Sequence, residues 1–162
     1  MSQRRRYRRK PGQYVVAVQL KLETAGFVYR KWGGEQHCKA GDWVVDNDGE
    51  VYTVDAASFT RTYRQLRPGA YVKTTPVWAA ASEKEGAVAT KEGHTRLAPG
   101  DYLVSNNEDG SDSYAIAADK FHERYELDES ERAPPRRLMA VYLRVPFERL
   151  TARTLPLGPP PQ

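Results

Sequence analysis

The chain has 162 residues, 40% hydrophobic and 28% charged, which fits one compact domain or two small ones and excludes a long multidomain enzyme. No apolar run approaches the roughly 18 residues of a membrane span and no apolar signal core follows the basic start, so a cytoplasmic protein is the expectation. The net charge of +4 is unevenly spread: Arg4, Arg5, Arg6, Arg8, Arg9 and Lys10 fall in the first ten residues with no acid, leaving 19 basic against 21 acidic residues in the rest.

In chain order, residues 1–11 read as a basic arm. Tyr14 to Leu20, Gly26 to Arg30, Asp42 to Val45 and Val51 to Val54 are rich in β-branched and aromatic residues and read as strands. Asp48-Gly49 joins the last two as a tight hairpin, because both central residues of a type I′ turn need positive φ. Asp55 then offers an N-cap to a helix over 56–64, with Phe59 and Tyr63 four apart on one face. A second helix is expected over 118–126, with Phe121 and Tyr125. Arg132 to Arg137 reads as a linker, 140–143 as a closing strand and 151–162 as a proline-rich tail.

The two helices belong to a repeat. Gly41-Asp42-Trp43-Val44-Val45 matches Gly100-Asp101-Tyr102-Leu103-Val104, and Tyr52, Val54, Phe59 and Tyr63 match Tyr114, Ile116, Phe121 and Tyr125 at one offset of 62. Upstream, Gly26 and Lys31 match Gly86 and Lys91. The expected fold is therefore mainly β with short helices, as two tandem pseudo-symmetric β-meander-plus-helix units packed together, repeat 1 over 12–67 and repeat 2 over 68–131, with a closing strand within 132–150.

Several constellations invite chemistry. Asp42 and Asp101 are the weak candidates for paired catalytic acids or metal ligands, but a glycine in a tight turn followed by an aspartate that accepts from backbone amides is the better explanation of Gly-Asp. Asp46-x-Asp48-Gly49 and Asn107-x-Asp109-Gly110-x-Asp112 resemble fragments of calcium loops, without the twelfth-position glutamate or flanking helices. His37-Cys38 suggests a thiol beside a base, with Thr95 expected opposite Cys38 in the second copy. Cys38, His37 and His94 lack zinc-ligand spacing, and neither a metal nor a cofactor is expected. Trp32, Tyr29 and Tyr71 are the aromatics expected on an exposed face.

Arg6-Tyr7-Arg8-Arg9-Lys10-Pro11, Ala17-Val18-Gln19, Gly41 to Val45, Gly49-Glu50-Val51-Tyr52 and Phe59 with Thr62-Tyr63 resemble a group of small tailed-phage and prophage proteins. Those proteins open with a Lys-Tyr-Arg-Lys-Lys-Pro-like segment. Pro99-Gly100-Asp101-Tyr102 is similar to a bacterial family named for Pro-Gly-Asp-Tyr-Gly, departing from it at Leu103. The resemblance implies a phage or mobile-element setting, and an opening segment ordered against the body.

The leading expectation is a non-enzymatic binding module that holds a protein or a phosphate-bearing ligand in the groove between the copies, with Lys31, His37, Lys91 and His94 as binding residues. The first alternative is nucleic-acid binding through Arg4, Arg5, Arg6, Arg8, Arg9 and Lys10. The second is a small hydrolase or transferase using Asp42 and Asp101. No membrane partner is expected.

Overall fold

The computed structural model describes residues 3–130, so the expected linker, closing strand and tail lie outside the described residues. The fold is mainly β with two short helices, and every paired strand runs antiparallel to its neighbours.

The chain opens with β1 (Arg5–Arg9) and β2 (Val15–Gln19), followed by the hairpin β3 (Phe27–Lys31) and β4 (Gly34–Cys38). Next come β5 (Trp43–Asn47), β6 (Glu50–Val54), α1 (Ala56–Thr62), β7 (Tyr63–Arg67) and β8 (Ala70–Lys73). The second round runs β9 (Val77–Ala81), the hairpin β10 (Gly86–Ala89) and β11 (His94–Leu97), β12 (Tyr102–Ser105), β13 (Ser113–Ile116), α2 (Ala118–Arg124) and β14 (Tyr125–Leu127).

The duplication is visible in the pairing. One five-stranded sheet has the order β6-β5-β2-β8-β7, the other β13-β12-β9-β1-β14. Strand for strand, β1 occupies in the second sheet the place that β8 occupies in the first. Tyr7 lies opposite Val77 as Tyr71 lies opposite Val15, and Arg9 lies opposite Tyr125 as Lys73 lies opposite Tyr63. The segment expected as an arm is thus an inner strand, and among the described residues the start of the chain fills the place between β9 and β14 in the second unit. The first unit likewise runs past residue 67 to Lys73.

Local chemistry accounts for most elements. Asp48 and Gly49 both have positive φ, 56° and 85°, as the tight hairpin requires. The Asp55 carboxylate caps α1 by accepting from the Ala57 and Ser58 amides. Both helices stop two residues earlier than the aromatic spacing suggests. Tyr63 and Tyr125 turn to extended backbone at the C-cap and start β7 and β14.

Each sheet buries one aromatic from its helix. Phe59 stacks on Trp43 at 4.2 Å and meets Tyr71 edge-on at 5.1 Å; Phe121 stacks on Tyr102 at 3.9 Å and meets Tyr7 edge-on at 4.9 Å. Val15, Ala17 and Val45 line the first core as Val77, Ala79 and Val104 line the second. Tyr71 is therefore a packing residue rather than an exposed one, and Tyr29 is tied to Thr53 through its hydroxyl at 2.7 Å. Among the described residues no helix is long and apolar enough to cross a membrane.

Candidate functional site: a cation-lined cavity between the duplicated units

The repeats meet through side chains that cross from one unit to the other. Arg124 of α2 reaches Glu50 of β6 at 2.6 Å, and Arg61 of α1 reaches Asp112, before β13, at 2.8 Å. Glu50 and Asp112 are equivalent positions, each two residues ahead of a matched tyrosine. The two hairpins close the same side: the Arg96 amide donates to the Trp32 carbonyl at 2.9 Å, and the Gln36 side chain donates to the His94 carbonyl at 2.6 Å. The approach is so close that a Cβ on Gly34 would lie 2.2 Å from the His94 carbonyl oxygen, and one on Gly93 2.0 Å from that of Glu35.

Between the units lies a cavity of about 450 Å³, within the usual range for small-molecule pockets. Arg9, Lys73, Arg96, Lys120 and Arg124 line it together with the acids Glu50, Glu92, Asp101 and Asp112. Arg9 from β1 and Lys73 from β8, the equivalent strands, each reach across to the other unit. Arg9 Nη2 donates to Asn47 Oδ1 at 3.0 Å, and Asn47 in turn donates to the Tyr52 hydroxyl at 3.1 Å. Lys73 Nζ donates to Asn106 Oδ1 at 2.7 Å and lies 3.0 Å from the Tyr114 hydroxyl. Asn47 and Asn106 are repeat equivalents, as are Tyr52 and Tyr114.

Among the described residues, no carboxylate is a hydrogen-bond partner of either cation. Glu50 and Asp112, the acids at equivalent edges of the cavity, are held by Arg124 and Arg61. Asp112 additionally takes the Ser58 hydroxyl at 2.9 Å. Burial depresses the Lys73 ammonium below its ordinary value. Tyr125 shows the opposite response: burial alone pushes its phenol up, yet Lys73 and Arg9 outweigh burial and bring its pKa down to about 8. Tyr63 and Tyr114, also lining the cavity, are held well above the usual tyrosine value by burial. The arrangement is a polar chamber into which the Arg9 and Lys73 charges face, each on neutral hydrogen-bond partners.

The residues expected to bind ligand lie beside this chamber, outside its lining. His37 follows the buried Gln36, and His94 precedes the buried Thr95, so strand alternation turns both imidazoles outward. His37 sits 3.2 Å from Glu35 on the surface. Lys31 covers the Trp32 ring at 5.1 Å, and Lys91 is bound to Ser58 at 2.7 Å and to Asp55 at 3.5 Å. The four do not converge.

Nor do the two aspartates. Asp42, 1% exposed, accepts from the Ala56 amide at 3.0 Å and the Lys39 amide at 2.9 Å, and Asp101 accepts from the Ala98 amide at 2.9 Å. Both are absorbed in turns. That turn also fixes the register, matching Lys39 with Ala98, so Cys38 is equivalent to Leu97 rather than to Thr95. Burial raises the Cys38 thiol, and its side chain faces away from His37. Among the described residues no group of three or more His, Cys, Asp and Glu side chains is placed to hold a metal ion.

Of the basic segment, Arg8 pairs with Glu126 at 2.8 Å, Arg6 with Asp128 at 3.2 Å, and Lys10 donates to the His122 carbonyl at 2.5 Å. Arg9 turns inward to the cavity, while Arg4 and Arg5 are exposed. Alternation along β1 sorts these cations onto two faces.

Comparison with known protein families, curated proteins and solved structures returns no match to this chain.

Proposed function

We propose that the protein is a non-enzymatic binding module whose ligand is a small phosphate-bearing anion, held in the cavity between the duplicated units. The observation that carries this reading is the pair of inward-facing cations, Arg9 and Lys73, whose hydrogen-bond partners among the described residues are neutral side chains. A buried charge without a counter-charge is expensive, and an incoming anion would supply the compensation. Tyrosine hydroxyls around it add neutral donors suited to phosphoryl oxygens. The phage-like opening motif gives the reading its setting, a phage or mobile-element protein that captures a small anion.

Isothermal titration with inorganic phosphate tests it. The expected result is saturable heat with the wild-type chain, and loss of that heat in an Arg9→Met, Lys73→Met double variant that retains the wild-type circular dichroism. Binding unchanged in the double variant would sink the reading.

A further inference from the structure

The cavity is duplicated along with the fold, and the duplication constrains what it holds. This inference rests on the anion reading and asks how many anionic groups the ligand carries.

Arg9 and Lys73 are equivalent by register, each lying opposite the tyrosine that opens the last strand of its sheet, Tyr125 and Tyr63. Their acceptors are equivalent too. Asn47 lies at the end of β5 opposite Glu50, and Asn106 follows β12 with its amide bonded to the Asp112 carbonyl. The associated tyrosines, Tyr52 and Tyr114, face Val45 and Val104 at matched positions in the first and second sheets. Two copies of one cation-asparagine-tyrosine set therefore serve one cavity, and each set draws residues from both units.

Of the acids in the lining, Glu92 and Asp101 accept from the Asp55 and Ala98 amides, and Glu50 and Asp112 are equally duplicated and equally occupied. Glu50 and Asp112 would be the natural counter-ions, yet each is claimed by an arginine from the opposite unit. Each set is thus left with one cation and no carboxylate. An anion bound at one set alone would leave the other cation with only neutral hydrogen-bond partners.

We propose that the cavity takes a ligand carrying two phosphoryl groups, one met by Arg9 with Tyr52 and the other by Lys73 with Tyr114.

Titrating the wild-type chain with orthophosphate, pyrophosphate and 1,6-hexanediol bisphosphate at matched ionic strength tests this without any substitution. The expected result is one two-phosphoryl probe per chain, bound at least about tenfold more tightly than orthophosphate. The two probes differ in spacing, so the better one reports the distance between the sets. Arg9→Met and Lys73→Met, made singly, should each reduce that probe to about the affinity of orthophosphate. If orthophosphate binds and neither probe binds more tightly, the two-group inference is overturned and the anion reading stands. If none of the three binds, the anion reading itself fails.

Discussion

Asp42 shows how much one side chain does in this fold. Its two oxygens satisfy the Lys39 amide ahead of β5 and the Ala56 amide at the start of α1, linking hairpin, sheet and helix. Asp42→Ala should lower unfolding free energy by about 2–3 kcal/mol in urea titration, since it strands donors in a buried site. Asp101→Ala removes the one backbone bond to Ala98 and should be milder, about 1 kcal/mol. Gly-Asp was legible in the sequence as a pattern, and turn chemistry was enough to read it. Tyr125 was legible only as a packing residue, because nothing in its local sequence places it between Arg9 and Lys73. Its pKa of about 8 carries a stability consequence. The native phenol gives up its proton more readily than the unfolded one, whose pKa is near 10, so the unfolded chain binds more protons between pH 8 and 10. Lys73, depressed by burial, acts in the same sense. The Tyr125 contribution should therefore rise by on the order of 2 kcal/mol from pH 8 to 10 and be lost again as pH falls through 8, while the raised phenols of Tyr63 and Tyr114 act in the opposite sense near pH 10. Chemical denaturation at stepped pH checks this, and Tyr125→Phe should flatten that rise.

At the scale of elements, the sequence disclosed the strands flanking Asp48-Gly49 and both helices, because turn and cap residues mark them directly. It concealed β7 and β14, since Tyr63 and Tyr125 carry a helical spacing from Phe59 and Phe121 and then continue as strand. It also concealed the inner face of the hairpins: Lys31, His37, Lys91 and His94 stand out by their chemistry, while pleating turns Gln36 and Thr95 inward in their place. The hairpins cross at glycines where backbone meets backbone. Gly34→Ala or Gly93→Ala forces a Cβ onto a carbonyl oxygen and should lose more than about 2 kcal/mol, with faster hydrogen exchange in β4 and β11. Gly41→Ala and Gly49→Ala meet open space and suffer only from positive φ, so each should cost about 1 kcal/mol.

Across the whole molecule, the duplication was readable from matched residues, but its wiring was not. Matched in chain order, each element of the first copy has its counterpart later in the chain, whereas β8 finds its counterpart at the chain's beginning. Tyr71-Val72-Lys73 and Tyr7-Arg8-Arg9 are the paired motifs that carry this, and they lie in the reverse of the expected order. Lys73 and Arg9 consequently look unrelated in the sequence, one isolated and the other part of a basic arm. The wiring has a direct consequence. Removing residues 1–10 deletes an inner strand, so the truncated chain should lose the cooperative unfolding of the second sheet. A circular permutant of residues 4–128 that joins Asp128 to Arg4 through a short glycine-containing turn and opens the chain at Gly12 should fold and bind as the unpermuted residues 4–128 do. Arg5 already starts β1 beside that point, where the Asp128 amide donates to the Arg6 carbonyl at 3.0 Å, and the corresponding β7–β8 connection is Pro68-Gly69. Circular dichroism and thermal melting of both chains check this.

The central claim is that the space between the two units is an anion site built around Arg9 and Lys73. The most direct measurement is an anomalous difference map from crystals soaked in tungstate, a heavy tetrahedral stand-in for phosphate. Such a site requires density inside the cavity within bonding distance of the Arg9 guanidinium, of the Lys73 ammonium, or at a separate position beside each, absent from crystals of the Arg9→Met, Lys73→Met double variant. Tungstate confined to surface cations such as Arg4 and Arg5, with the cavity empty, would contradict it.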